Sequence, residues 1–170
     1  YDSYNILGHV YKIIASIFIY FALFRYSIEE PYKLVKQKEE EFTIAIQGSG
    51  AGTWEWDIQT GETKFNERWA EILGYTLKEL EPISIKTWET LAHPDDLKGS
   101  DEALKKHFEG KTDYYTFDSR MKHKNGSWVW VADRGKVMEW DIDGGPLKMV
   151  GIHLDISEQK KSEQKLIESE

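Results

Sequence analysis

Residues 114–157 read YYTFDSRMKHKNGSWVWVADRGKVMEWDIDGGPLKMVGIHLDIS, and this stretch carries most of the architecture. Across 114–123 the side chains alternate, with Tyr115, Phe117 and Met121 on one face and Asp118, Arg120 and Lys122 on the other. A period of two predicts a half-buried strand. Asn125-Gly126 follows, and the tolerance of both residues for positive φ predicts a type I′ hairpin turn. Residues 127–141 read as a longer second strand, rich in Trp and Val. Asp143-Gly144-Gly145-Pro146 turns the chain again and 147–154 makes a third strand. Asp155-Ile156-Ser157 stops it, and a charged helical pattern begins at once. A meander that feeds straight into a helix can pass a strain in the sheet to whatever follows.

The preceding residues supply two strands and several short helices. Trp54, Trp56 and Ile58 share one face of a strand over 53–58, Thr60-Gly61 turns, and 62–65 forms its partner. Asn66 is placed to cap a helix over 67–73 that ends at Gly74, as a C′ glycine should. Residues 77–91 read as short helical pieces broken by Pro82. His93-Pro94-Asp95-Asp96 opens a further helix that runs to Phe108 and is stopped by Gly110. Trp128 and Trp130 point to one side of the long strand, Val129 and Val131 to the other, so neither side suits water.

Residues 6–24 are nearly continuous apolar sequence, about the length of a hydrocarbon core. Eleven strongly apolar residues, at about −0.3 to −0.6 kcal/mol each, outweigh one off-centre Lys at roughly +3 kcal/mol, so insertion is favourable. Lys12 and His9 keep open the alternative of a buried amphipathic helix. Arg25, Lys33, Lys36 and Lys38 follow the run, and the positive-inside rule then makes everything beyond it cytoplasmic. Pro31 is expected to kink or restart the helix. Ile28, Tyr32, Val35, Glu39, Phe42 and Ile46 recur at steps of four and three, a short heptad seam suited to packing against a twin helix.

The bulk composition excludes several functions. Net charge is −8 and basic clusters are short, which argues against nucleic acid as a partner. The chain has no Cys, so disulfides, thiolate metal sites and a cysteine nucleophile are all absent. Seven Trp, nine Tyr and seven Phe supply ample core, which excludes disorder. Gly48-Ser49-Gly50-Ala51-Gly52 lies between a helix and a strand, the reverse of a phosphate loop, and reads as a hinge. No Ser-His-Asp set, paired carboxylates, HExxH spacing or nucleotide-binding box stands out, so neither catalysis nor a metal site is expected. The chain starts without Met and ends inside a helical pattern, as a piece of a longer protein would.

The words Gly52-Thr53-Trp54-Glu55-Trp56-Asp57, Leu73-Gly74-Tyr75, His93-Pro94-Asp95-Asp96, Lys124-Asn125-Gly126-Ser127-Trp128 and Gly151 through Asp155-Ile156-Ser157-Glu158 occur in order. Together they resemble a PAS domain of the sensor-kinase type with its C-terminal PAC stretch, over roughly residues 41–158. Tyr4-Asn5-Ile6-Leu7-Gly8-His9-Val10-Tyr11-Lys12 is similar to the last helix of a bacterial or archaeal membrane-associated sensor module. The first resemblance implies an α+β PAS fold: a five-stranded antiparallel sheet of order 2-1-5-4-3 with short helices over one face. A long N-terminal helix precedes it and an output helix follows.

The resemblance also implies a pocket, for which Trp54, Trp56, Phe65, Trp69, Trp88, His107 and Phe117 are the candidates. These aromatics are more often core than cofactor cage. His107 sits where haem-binding relatives carry their iron ligand, and is otherwise a surface or capping residue. Flavin could bind without a cysteine, but covalent photoadduct chemistry could not. A protein without cofactor is expected first, then an unidentified small ligand, with haem or flavin behind. Asp155, Ile156 and Ser157 are the expected signal-coupling residues, with Ser157 capping the output helix.

The organisation expected is a transmembrane or hydrophobic helix over 1–27, a signalling helix over 28–46, a PAS/PAC domain over 47–157 and an output helix from 158 to 170. Ile28, Tyr32, Val35, Phe42 and Ile46 would form the homodimer seam. The protein would sit in the inner membrane with its PAS domain in the cytoplasm. It would relay a signal by helix rearrangement to an output domain, most often the histidine kinase of a two-component system, or a diguanylate cyclase. Two other readings are a haem or flavin redox or gas sensor, and a structural dimerisation module.

Overall fold

The computed structural model describes residues 2–169, with side chains from residue 6 onward. Tyr1 and Glu170, the ends of the first and last expected segments, lie outside the described residues, as do the side chains of Tyr4 and Asn5. The chain divides into two units, Tyr1–Gly48 and Ser49–Glu170.

The first unit is helical throughout. α1 spans Asp2–Phe24, a wide π turn covers Arg25–Glu29, and α2 spans Glu30–Ser49. Pro31 stands at the second position of α2, directly after the π turn, and helical structure continues through it. Proline lacks an N–H, and its ring presses on the carbonyl four residues back. A wide turn precedes it, in which the Glu30 N–H donates to the Arg25 carbonyl, five residues earlier. Every described side chain over 6–24 is exposed, so the alternative of a buried core helix is not met. The helix is long and apolar enough to cross a hydrocarbon core. Ile28, Tyr32, Val35 and Phe42 are exposed as well, and Ile46 is half-buried.

The second unit is a five-stranded antiparallel sheet. β1 (Gly52–Asp57), β2 (Thr63–Phe65), β3 (Tyr115–Lys122), β4 (Trp128–Trp140) and β5 (Pro146–Asp155) pair in the order β2-β1-β5-β4-β3. Between β2 and β3 come α3 (Glu67–Ile72), a short 3-10 turn (Leu77–Leu80), α4 (Ile85–Leu91) and α5 (Pro94–Phe108). α6 (Ser157–Glu168) leaves β5. Local chemistry sets these ends. The Asn66 side chain accepts from the Trp69 N–H, Gly74 adopts φ 76°, and the His93 ring accepts from the Asp95 N–H.

The β3–β4 hairpin differs from the expected type I′ turn. Asn125 keeps a negative φ and only Gly126, at 91°, is left-handed. The Gly126 N–H donates to the His123 carbonyl, and His123 pairs with Ser127 across a three-residue loop. This is a type I turn closed by a glycine bulge. Asn125 holds that shape by accepting from the Ser127 N–H at 2.9 Å, which leaves its own backbone in the ordinary region.

One glycine pair positions the core. Gly135 of β4 and Gly151 of β5 are register partners, and Gly151 also pairs with Trp54 of β1. A Cβ at Gly135 would stand 2.5 Å from the Trp54 indole, and one at Gly151 would stand 2.3 Å from it. The two missing side chains form the slot in which that indole lies flat across three strands.

Candidate functional site

Strand parity decides what faces the helices. Val131, Asp133, Gly135 and Val137 of β4 and Met149, Gly151 and His153 of β5 all point inward and are at least half-buried. Of these, Asp133 and His153 line a small apolar cavity of about 40 Å³, together with residues of β1, β2, β3, α3, α4 and α5. Trp54, Trp56, Phe65, Trp69 and Trp88 line it, so five of the seven expected pocket residues meet there. Phe65 lies flat on Trp69, ring centroids 3.7 Å apart.

The cavity wall also carries a polar cluster that the sequence reading missed. Asp133 is buried, and its Oδ1 accepts from Trp54 Nε1 at 2.9 Å. Its Oδ2 lies 3.1 Å from His153 Nε2 and accepts from the Tyr115 hydroxyl at 3.4 Å. Burial, then the Asp133 charge, pushes the Tyr115 phenol far above its ordinary range, so it stays protonated. With that proton directed at Asp133, Ser100 Oγ donates to Tyr115 at 2.8 Å. Three strands (β1, β3 and β5) thus converge on one carboxylate of β4, and α5 joins them through Tyr115. The signal was present in the sequence: alternation through 127–141 puts Asp133 on the same face as Val131 and Val137.

Three of the residues that line the cavity have a donor without a partner. The indole N–H groups of Trp56, Trp69 and Trp88 are buried and have no acceptor among the described residues. Groups of this kind cost stability unless something accepts from them.

Two candidates fall elsewhere. His107 is neither a surface residue nor free to hold a ligand. It is buried, its Nδ1 lies 2.9 Å from the Thr112 carbonyl, and its Nε2 accepts from the Val137 N–H. Nε2 ties α5 to β4, and Nδ1 is engaged by the segment that follows α5. Phe117 is half-buried outside the cavity, packed so closely on Gly99 that a Cβ there would stand 2.7 Å from its ring. Among the described residues no cluster of His and carboxylates is placed to hold a metal.

The junction after β5 differs in one detail from the expected cap. α6 begins at Ser157, and Ile156 is its N-cap residue without a side-chain bond. The Asp155 carboxylate accepts from the Ser157 N–H at 2.9 Å and so does the capping. Ser157 Oγ turns back to the sheet and accepts from the Trp130 N–H at 3.0 Å, while the Ile156 N–H donates to the Trp130 carbonyl. Trp130 faces outward under two cations, Arg120 at 5.6 Å and Lys160 at 5.4 Å from its ring centre. Trp128 is more exposed and lies beneath Lys122. Amphipathic cations therefore cover the outward indoles within this chain.

Comparison with known proteins agrees with this geometry. The probable diguanylate cyclase DgcE of Escherichia coli is 26% identical over 139 residues, 82% of this chain and 12% of that protein. The sensor protein FixL of Bradyrhizobium diazoefficiens is 27% identical over 124 residues, 73% of this chain and 24% of that protein. The chain therefore spans less than a quarter of the length of these relatives. Among solved structures, a sensory box histidine kinase/response regulator from Burkholderia thailandensis is 32% identical with a TM-score of 0.66, covering 75% of this chain and 93% of that one. The N-terminal domain of a diguanylate cyclase with PAS/PAC sensor from Marinobacter aquaeolei is 25% identical with a TM-score of 0.55, covering 65% and 98%. The family model described as PAS fold matches residues 62–153, more than half of the sequence, and with the strand order above it establishes that the chain belongs to the PAS fold family.

Proposed function

We propose that this chain is the sensory and relay segment of a membrane-bound bacterial or archaeal signalling protein. A membrane-spanning helix and a signalling helix precede the PAS domain, and α6 leads to an output domain. By the names of similar proteins that domain would be a histidine kinase or a diguanylate cyclase, and we favour the kinase. The segment itself is non-catalytic and works as a homodimer, the seam of Ile28, Tyr32, Val35, Phe42 and Ile46 packing against its twin while the inner membrane holds the two copies close. The observation that carries the reading is the β5–α6 junction, where the output helix is bonded to both backbone groups of Trp130. A shift of the sheet is then a shift of the helix.

Asp155→Ala in the full-length protein tests this. It removes the cap but leaves the sheet intact, so Tm should fall by only about 2–4 °C. Stimulus-dependent output should be lost. Wild-type output from the variant would overturn the coupling role.

A second reading is favoured by the three unpaired indole N–H groups: the cavity takes a small, colourless, acceptor-bearing molecule. Haem and flavin do not fit the residues present. Pockets for molecules of that size run to roughly 300 Å³ or more, and both His107 nitrogens are engaged. Purified chain, extracted and analysed by mass spectrometry, should yield a stoichiometric carbonyl or carboxyl compound and show no absorption band above the aromatic region. A Soret or flavin band, or an extract without any such compound, would refute it.

A further inference from the structure

The cavity wall and the output helix are joined by a continuous line of charged and aromatic contacts across the outer edge of the sheet. α5 supplies Ser100 and Leu104 to the cavity. In its first turn the same helix carries Asp96, which grips Arg120 of β3 in a fork: Nε donates to Oδ2 at 2.9 Å and an Nη to Oδ1 at 2.6 Å. The Arg120 backbone N–H donates to the same carboxylate at 2.8 Å. This carboxylate is held below the usual range by Arg120. Arg120 and Trp130 are direct cross-strand partners, and the guanidinium lies over the indole. The same indole also meets Lys160 of α6, tied at 2.9 Å to Asp118, two residues before Arg120 on β3.

We propose that Asp96, Arg120, Trp130 and Lys160 form a relay that transmits displacement of α5 to the position of α6. The route is physically discrete. A two-pronged guanidinium–carboxylate pair fixes angle as well as distance, so movement of α5 turns the guanidinium plane. That plane and the Lys160 ammonium share one indole, and its backbone is already bonded to Ile156 and Ser157. Reorienting Arg120 therefore alters the seat of the first turn of α6. Spatial continuity alone does not demonstrate coupling. The relay makes a distinct claim, however: a residue of α5 that touches nothing in α6 controls its stability. It rests on the signalling reading for its biological meaning, but it can be measured without any output activity.

The experiment is amide hydrogen exchange, followed by mass spectrometry, on the whole chain in detergent micelles. Asp96→Asn keeps an acceptor for the Arg120 backbone N–H and removes the ionic fork. Exchange over residues 158–163 should accelerate roughly five- to tenfold, with β1 and β5 unchanged. Arg120→Lys, which keeps the charge and loses the fork, should give the same pattern. In a Lys160→Met background, where α6 has already lost its seat, Asp96→Asn should add little. The proposal is overturned if Asp96→Asn and Arg120→Lys leave exchange in α6 at the wild-type rate, or if exchange rises equally throughout the sheet. Additive effects of Asp96→Asn and Lys160→Met would overturn it too. A failed Asp155→Ala output test with positive exchange results would leave the relay standing and reject the signalling role, so the two can be told apart.

Discussion

Asp133→Ala is expected to remove about 3–5 kcal/mol of folding stability, the cost of taking one partner from a buried charged group. Removing the carboxylate strands its donors. The carboxylate serves the Trp54 indole N–H, the His153 imidazole and the Tyr115 hydroxyl, and all three residues are buried. None can turn to water: Trp54 is clamped over Gly135 and Gly151, and His153 sits in the middle of the β1–β5–β4 ladder. Urea unfolding of the whole chain in micelles should show a lower midpoint at unchanged slope. Asp133→Asn, which keeps one acceptor and adds a competing donor, should lose less. A loss below about 1 kcal/mol for the alanine variant would mean that the cluster contributes little beyond filling space.

The second large effect is expected at Trp69, whose indole is 1% exposed. Truncating a buried Trp to Ala costs about 3–5 kcal/mol, the sum of lost transfer energy and the void left behind. Two features place this site at the upper end. Phe65 loses its stacking partner, and the new void merges with the cavity of about 40 Å³ already there. The fold can close over it only slightly, because the Trp69 backbone abuts Gly52 of β1. An apolar hole of this shape should accept free indole. Millimolar indole is therefore expected to raise the Tm of Trp69→Ala and leave wild type unmoved. A variant that loses stability without indole rescue would show that the surrounding helices had collapsed into the space.

Local signals made most of the scaffold legible. Alternation located β3, the Gly61, Gly74, Gly126 and Gly144 turns fell where the glycines stand, and Asn66 and His93 capped the helices they precede. Each of these depends on residues within a few positions of one another, which is why a linear reading reached them. The misreadings have the same origin. The 125–126 turn depended on whether the Asn125 side chain would bond Ser127 rather than on φ tolerance. The Ser157 hydroxyl was free, as far as spacing could tell, to cap α6. A backbone N–H of β4, 27 residues away, took it instead.

The candidate site divides along the same line. The aromatic wall of Trp54, Trp56, Phe65, Trp69 and Trp88 was expected from the resemblance to PAS domains, and apolar side chains gather in one interior without needing particular partners. Which polar groups joined them depended on register between strands distant in the chain. Pairing Asp133 with His153 and Trp54 with Gly151 brings carboxylate, imidazole and indole to one point. His107 shows the converse. Its place on α5 invited a role as ligand, and two backbone groups claimed both nitrogens once the helix packed on β4. Strands, turns and caps are properties of short segments and were readable as such. The carboxylate cluster, the spent histidine and the seat of the output helix exist only where segments meet, and their partners are chosen by packing.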